Sequence, residues 1–157
     1  MTTNILQQQL KSLIEKAPKH GVAPVVIEKA VAPVLLSVAS QLAATEYYLL
    51  QNEEEDWVIS ILSLRSSPQV EKRAVFAFGS LEAAQQQATQ IQSQSKAVKL
   101  PIIEVLWNFF SSPAVDSLIF RDLQQQNSRS IEVKRQELYN QIQQQLQKLQ
   151  ANSSDIA

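Results

Sequence analysis

The 157-residue chain predicts an α+β fold: an antiparallel sheet of three to four strands arranged as a meander, packed by N-terminal helices and a middle helix pair, with a long C-terminal helix. Three observations predict it. Apolar residues between Asn4 and Leu42 recur at helical spacing. From Thr45 onward the pattern changes to short β-branched and aromatic runs separated by polar turns. The last stretch returns to a helical period rich in glutamine. One domain is expected, since a chain of this size buries roughly 70% of its unfolded surface around a single core. The expected organisation is residues 1–44 as N-terminal helices, 45–80 as the meander and 81–127 as helices with a fourth strand. Residues 128–150 follow as the C-terminal helix and 151–157 as a frayed tail.

In NILQQQLKSLIEK, Ile5, Leu6, Leu10, Leu13 and Ile14 share one helix face, and Asn4 stands at a capping position. Pro18 and Gly21 end that helix, and Pro24 can open the next. Val25, Ile27, Val31, Val34, Leu35, Val38 and Leu42 make the second segment apolar nearly all round, which predicts a helix buried against the sheet. Pro33 inside it removes a backbone donor and crowds the preceding turn, so a kink or two short helices are expected.

EYYLLQN, DWVISILSLRS and EKRAVFAFGS are the three strands of the meander. The middle one alternates Trp57, Ile59 and Ile61 with Val58, Leu62 and Leu64, so both of its faces are apolar, as suits a central strand. Glu53, Glu54, Glu55 and Asp56 fall at the tip between the first two strands, where they stay hydrated and discourage a further chain from extending the sheet. Lys72 and Arg73 begin the third strand at the other end, and no ion pair with the tip is expected.

GSLEAAQQQATQIQSQSK predicts a helix capped by Ser80, with Glu82 in its first turn and Leu81, Ala84, Ala88 and Ile91 as a thin apolar stripe. LPIIEVLWNFF predicts a helix opened by Pro101, with a strand as the competing reading, and VDSLIFRD is a fourth strand. In SRSIEVKRQELYNQIQQQLQKLQ a stripe of Ile131, Leu138, Ile142, Leu146 and Leu149 predicts the terminal helix, capped by Ser128 or Ser130. Such a helix is marginal in water alone and has to pack on something.

Hydrophobic residues make up 45% of the chain and charged ones 18%, while 22 glutamines read as wet helix faces without charge. Fourteen basic and fifteen acidic residues leave a net charge of -1, so no global field draws in a polyanion. The absence of cysteine removes disulfides, thiolate nucleophiles and sulfur-bound metals. Two glycines, Gly21 and Gly79, cannot build a phosphate-cradling loop. A single histidine, His20, reads as an exposed loop residue rather than a base or ligand. Four consecutive acids lack the spacing of a calcium loop, and Glu104, Asp116 and Asp122 show no paired-carboxylate arrangement. No catalytic residue, cofactor site or metal site is therefore expected. The start MTTNILQQQL has no signal-peptide pattern, and the uncharged stretch Ala30 to Thr45 is shorter than the roughly 20 residues of a membrane span, so a cytoplasmic protein is expected.

The function these features predict is that of a non-catalytic interaction module, of adaptor or assembly type, binding another protein or a second copy of itself, with a homodimer formed through the C-terminal helix. Its contact residues would be Tyr48 and Trp107, as members of an aromatic hot-spot patch, and the stripe Ile131, Leu138, Ile142, Leu146 and Leu149. An alternative is a small-molecule or enzymatic pocket between the sheet and the helix around Trp107. A third reading is weak contact with nucleic acid or a membrane surface through Lys72 with Arg73, through Arg129, Lys134 and Arg135, or through Lys11, Lys16 and Lys19.

Overall fold

A computed structural model describes residues 2–155 except 64, 68, 92, 93, 125 and 126, and side chains at these positions other than 2, 3, 20, 122–124, 127–129 and 152–155. The first helix, α1 (Thr2–Glu15), starts two residues ahead of the expected cap Asn4 and buries Leu6, Leu10 and Leu13. A 3-10 turn, Ala17–His20, ends at Gly21, whose φ of 72° lets its N–H reach back to the carbonyls of Ala17 and Pro18. No neighbour would touch a side chain at Gly21; the backbone angle is what favours glycine there. The imidazole of His20 lies outside the described side chains.

The second helical segment consists of α2 (Pro24–Val26), a π turn (Ile27–Val31) and α3 (Ala32–Ala39). Pro33 sits in the first turn of α3 and gives neither a sharp kink nor a break. Its missing donor and the clash of its ring with the turn before are absorbed by the π turn, where the N–H of Ala32 reaches five residues back to Ile27.

The sheet has six strands: β1 (Glu46–Gln51), β2 (Ser60–Ser63), β3 (Glu71–Phe78), β4 (Lys96–Pro101), β5 (Ser117–Gln124) and β6 (Asn127–Lys134). Three helices separate or follow the later strands: α4 (Leu81–Gln90), α5 (Ile102–Phe110) and α6 (Arg135–Asp155). The strand order is β4-β1-β3-β5-β6, with β2 also paired to β3. Every pair is antiparallel except β3 with β5, which run parallel. The sheet is therefore mixed and has six strands, in place of an antiparallel meander of three or four. The parallel pair arises because the chain leaves β3 and returns only after α4, β4 and α5, a crossover long enough to bring β5 back in the same direction.

The expected central strand is replaced as well. β1 and β2 follow one another along the same edge of β3: Tyr48 and Leu49 face Phe78 and Ala77, while Ser60 to Ser63 face Ala74 to Glu71. Residues 52–59 leave that line as an excursion in which Trp57 bridges back to Gln51 and the N–H of Val58 bonds the carbonyl of Leu50 at 2.9 Å. β3 is the inner strand, and Ile61 on β2 is 64% exposed. The apolar residues of this stretch divide: Trp57 packs on the main core and Val58 on the smaller one, whereas Ile59 and Ile61 are exposed. Leu64 lies outside the described residues.

The acidic tip survives as a turn inside the excursion. The side-chain oxygen of Asn52 accepts the N–H groups of Glu54 and Asp56, at 2.9 and 3.0 Å, and all four acids are exposed. Glu55 occupies the left-handed region at φ 67°.

Ser80 caps α4 as expected, accepting from Ala83 at 3.2 Å. That helix ends at Gln90 and buries Ala83 and Ala84, while Leu81 and Ile91 are exposed. Lys96, the last residue of the expected helix, opens β4 (Lys96–Pro101), a strand too weakly alternating to show in the sequence. LPIIEVLWNFF divides into the end of β4 and the helix α5, so Pro101 is the residue before the helix and the strand reading holds for Leu100 and Pro101 alone.

Residues 127–134 are strand, so the terminal helix begins at Arg135 and neither Ser128 nor Ser130 caps it. Ile131 and Val133 are β-branched, alternate with Glu132 and Lys134, and point to the same core that Leu138 enters from the helix. A seven-residue step from Ile131 to Leu138 fits a helix and equally a strand that turns into one. The helix continues through residues 151–155, where fraying was expected.

One face of the sheet carries the main core. Tyr47, Leu49, Val75, Ala77, Leu118 and Phe120 meet side chains of α1, the π turn, α3, α5 and α6. At its centre the Tyr47 ring stands edge-on to Phe120, with centroids 4.9 Å apart. The other face is covered by α4 over Leu50 and Phe78. Next to it the Arg121 guanidinium lies 4.6 Å from the Phe76 ring. No described helix is long and apolar enough to cross a membrane.

Candidate functional site

The site is a groove of about 400 Å³ between α1 and α5, and it contains Trp107. Each helix contributes two rows of residues spaced by four, which stack along one face. On α1 the inner row is Ile5, Gln9 and Leu13, and the outer row is Gln8, Ser12 and Lys16. On α5 the inner row is Ile103 and Trp107, and the outer row is Glu104 and Asn108. The inner rows make a largely apolar floor, since Leu13, Ile103 and Trp107 are buried. The outer rows make two rims of amide, hydroxyl and single charges.

Gln9 holds the two helices together. Its Nε2 donates to the carbonyl of Thr45 at 3.0 Å, and its Oε1 accepts the N–H of Ile103 at 3.1 Å. The first N–H groups of a helix have no partner within it. Pro101 stands at the capping position of α5 and has no side-chain oxygen to offer. Gln9 supplies that oxygen from another helix, and the N–H of Ile102 is taken by Thr45 at 2.9 Å. Each end of the Gln9 amide therefore makes one internal bond, and the rims carry most of the polar groups that face the groove. Lys16 and Glu104 enter no ion pair among the described residues.

Trp107 is 7% exposed and continues into an aromatic series: its ring lies 5.8 Å from Phe110, which stacks on Tyr139 of α6 at 6.3 Å. Tyr48 lies on the opposite face of the sheet, in the α4 cluster, so the two aromatics do not form one patch. Leu138 and Ile142 are buried in the main core, Leu146 and Ile131 pack against it, and Leu149 is half-buried. The side chains of Asp122 and Arg129 lie outside the described ones. Glu104 lines the groove and Asp116 lies in a different cleft. Among the described residues no group of three histidine, aspartate or glutamate side chains could hold a metal ion.

The basic residues at the start of β3 are paired internally. Lys72 Nζ donates to Glu132 Oε2 at 2.9 Å, and the buried Ser117 Oγ donates to the same oxygen at 2.6 Å. These two bonds, the lysine's first, hold the Glu132 carboxyl below its ordinary range. Asp116 is likewise lowered, chiefly by the backbone N–H of Arg73 at 2.8 Å and then by the guanidinium.

Sequence reasoning placed Trp107 beside a pocket, but between the sheet and its own helix rather than between two helices. It missed Gln9, because the last glutamine of a run of three reads as solvated surface. The available signal was position: Gln9 shares its row with Ile5 and Leu13. No family model, curated protein sequence or solved structure matches this chain, so the groove's own geometry carries the functional reading.

Proposed function

We propose that this chain is a non-catalytic binding domain whose ligand is a small molecule lying in the α1–α5 groove. The observation that carries this is the groove itself, about 400 Å³ with an apolar floor and two polar rims. Ligand sites commonly run from about 300 to 1,000 Å³ and combine apolar walls with a few placed polar groups. The ligand is an apolar, ring-sized body with hydrogen-bonding edges, stacked near Trp107 and held along its sides by Ser12, Asn108 and the charged ends of Lys16 and Glu104.

The chain has two tryptophans, so a Trp57→Phe variant leaves Trp107 as the single indole reporter. Titration with anilinonaphthalene sulfonate should quench Trp107 by energy transfer with saturable, one-to-one binding. Ser12→Phe, on the exposed rim, fills the groove and should abolish the signal while leaving the melting temperature near that of the parent. Dye binding unchanged by Ser12→Phe, or absent from the parent, would refute the groove as a ligand site.

A protein-binding reading is favoured by a separate observation: Ile59, Ile61 and Val70 are exposed around β2, which among the described residues pairs with β3 alone. Light scattering of the parent beside Ile61→Lys tests it. Self-association lost in the variant supports the reading, and a monomer in both removes β2 as a contact between copies.

A further inference from the structure

A second cleft, about 360 Å³, opens where β6 passes into α6, and from its charges we infer that it is a binding site for a phosphate dianion, free or as a monoester. Its lining carries Lys72, Lys134 and Arg135 as cations and Asp116 and Glu132 as anions. Both carboxylates are already compensated. Glu132 Oε2 accepts Lys72 at 2.9 Å, and Asp116 accepts the Arg73 guanidinium at 3.4 Å from outside the lining. Lys134 acts on Glu132 through space without touching it, and neither Lys134 nor Arg135 makes a direct ion pair among the described residues.

Lys72, Arg73, Lys134 and Arg135 set against Asp116 and Glu132 leave a local surplus of two positive charges on a chain whose net charge is -1. A dianion balances that surplus; a single carboxylate balances half of it. The Arg135 Nε donates to the carbonyl of Phe110 at 3.1 Å, which anchors a guanidinium that lines the cleft. A fixed guanidinium fork matches two oxygens of a phosphate, and an ammonium beside it adds a point charge. Sheet register sets Lys134 opposite Ser117, whose hydroxyl is turned to Glu132, so the serine holds the carboxylate on Lys72.

The test is a titration of the isotopically labelled full chain with inorganic phosphate, followed by amide shifts, against sodium chloride of equal ionic strength. Saturable shifts confined to residues 115–117 and 132–136 are expected, weakened about tenfold in Lys134→Gln, the loss of one charge-assisted hydrogen bond. Lys134 is exposed, so this variant should fold; Arg135→Lys provides a second, keeping charge but losing the fork, and should also bind more weakly. Phosphoserine binding more tightly than inorganic phosphate assigns the site to a monoester, and the reverse order assigns it to the free ion. Shifts that chloride reproduces, or that persist unchanged in Lys134→Gln, would overturn the inference.

Discussion

Truncating Leu138 to alanine tests whether the terminal helix builds the fold or waits for a partner. Leu138 is 2% exposed, at the start of a helix that packs mainly on the π turn Ile27–Val31. Leucine-to-alanine changes in cores destabilise by roughly 2.7 to 5 kcal/mol, the lost transfer energy plus a term for the cavity left behind. A helix at the edge of a structure can settle inward, so the lower end applies, about 3 kcal/mol. For a chain of this length each kcal/mol moves the melting temperature by about 2–4 °C, which gives a drop of about 6–12 °C. Urea unfolding followed by far-ultraviolet circular dichroism should show the midpoint falling with the slope unchanged. Gln144→Ala, on the exposed side of the same helix, should stay within about 0.5 kcal/mol. A Leu138→Ala loss below about 1 kcal/mol, far under the usual core value, would mean that the stripe does not pack on this core and is open to another molecule.

Three other changes probe separate parts of the argument. Gln9→Leu orphans the N–H of Ile103, while Thr45 keeps its bond from Ile102. A loss of about 2 kcal/mol is expected in chemical denaturation, with faster hydrogen exchange at the start of α5. Glu55→Gly relieves a left-handed backbone at φ 67° and should stabilise by about 0.5–1 kcal/mol; a destabilised variant would show that the side chain contributes more than the strain costs. Glu132 has a folded pKa below its unfolded one, so its contribution is complete above about pH 4.3 and is lost as pH falls through the folded value. Glu132→Gln should therefore cost about 1–2 kcal/mol at pH 7, with the difference from the parent shrinking under acid conditions; a gap that stays constant down to pH 2 would contradict the assignment.

The α+β class, the long C-terminal helix, the Ser80 cap and the acidic turn were all legible because each rests on local signals: period, capping chemistry and turn residues. What was not legible depended on distant partners. β4 is six residues whose pairing with β1 no local pattern announces. The parallel alignment of β3 with β5 depends on the crossover between them, and strand periodicity is identical in either direction. Ile131 satisfied a helical stripe and a strand alternation together, and the longer pattern absorbed the shorter one. At the site, Trp107 was visible as a large aromatic, and the facing helix was visible as amphipathic. Their juxtaposition was not, because it is set by the tertiary hydrogen bonds of Gln9.

Those bonds also bear on why a groove exists. Two helices that interlock ridge into groove along their whole contact leave no room for a ligand. Here α1 is anchored by Leu6, Leu10 and Leu13 on the core side, and by one amide at the helix start. The amide fixes the spacing at the point where an aliphatic side chain would be drawn into contact, and the rows beyond it remain facing each other across open space. A polar residue at such a position is less favourable for packing than leucine of similar volume unless both of its ends are bonded, and in Gln9 both are. Gln9→Leu therefore has two linked consequences, where a purely structural glutamine would have one. It removes a helix cap, and it lets α1 close on Trp107, so dye binding should fall together with stability.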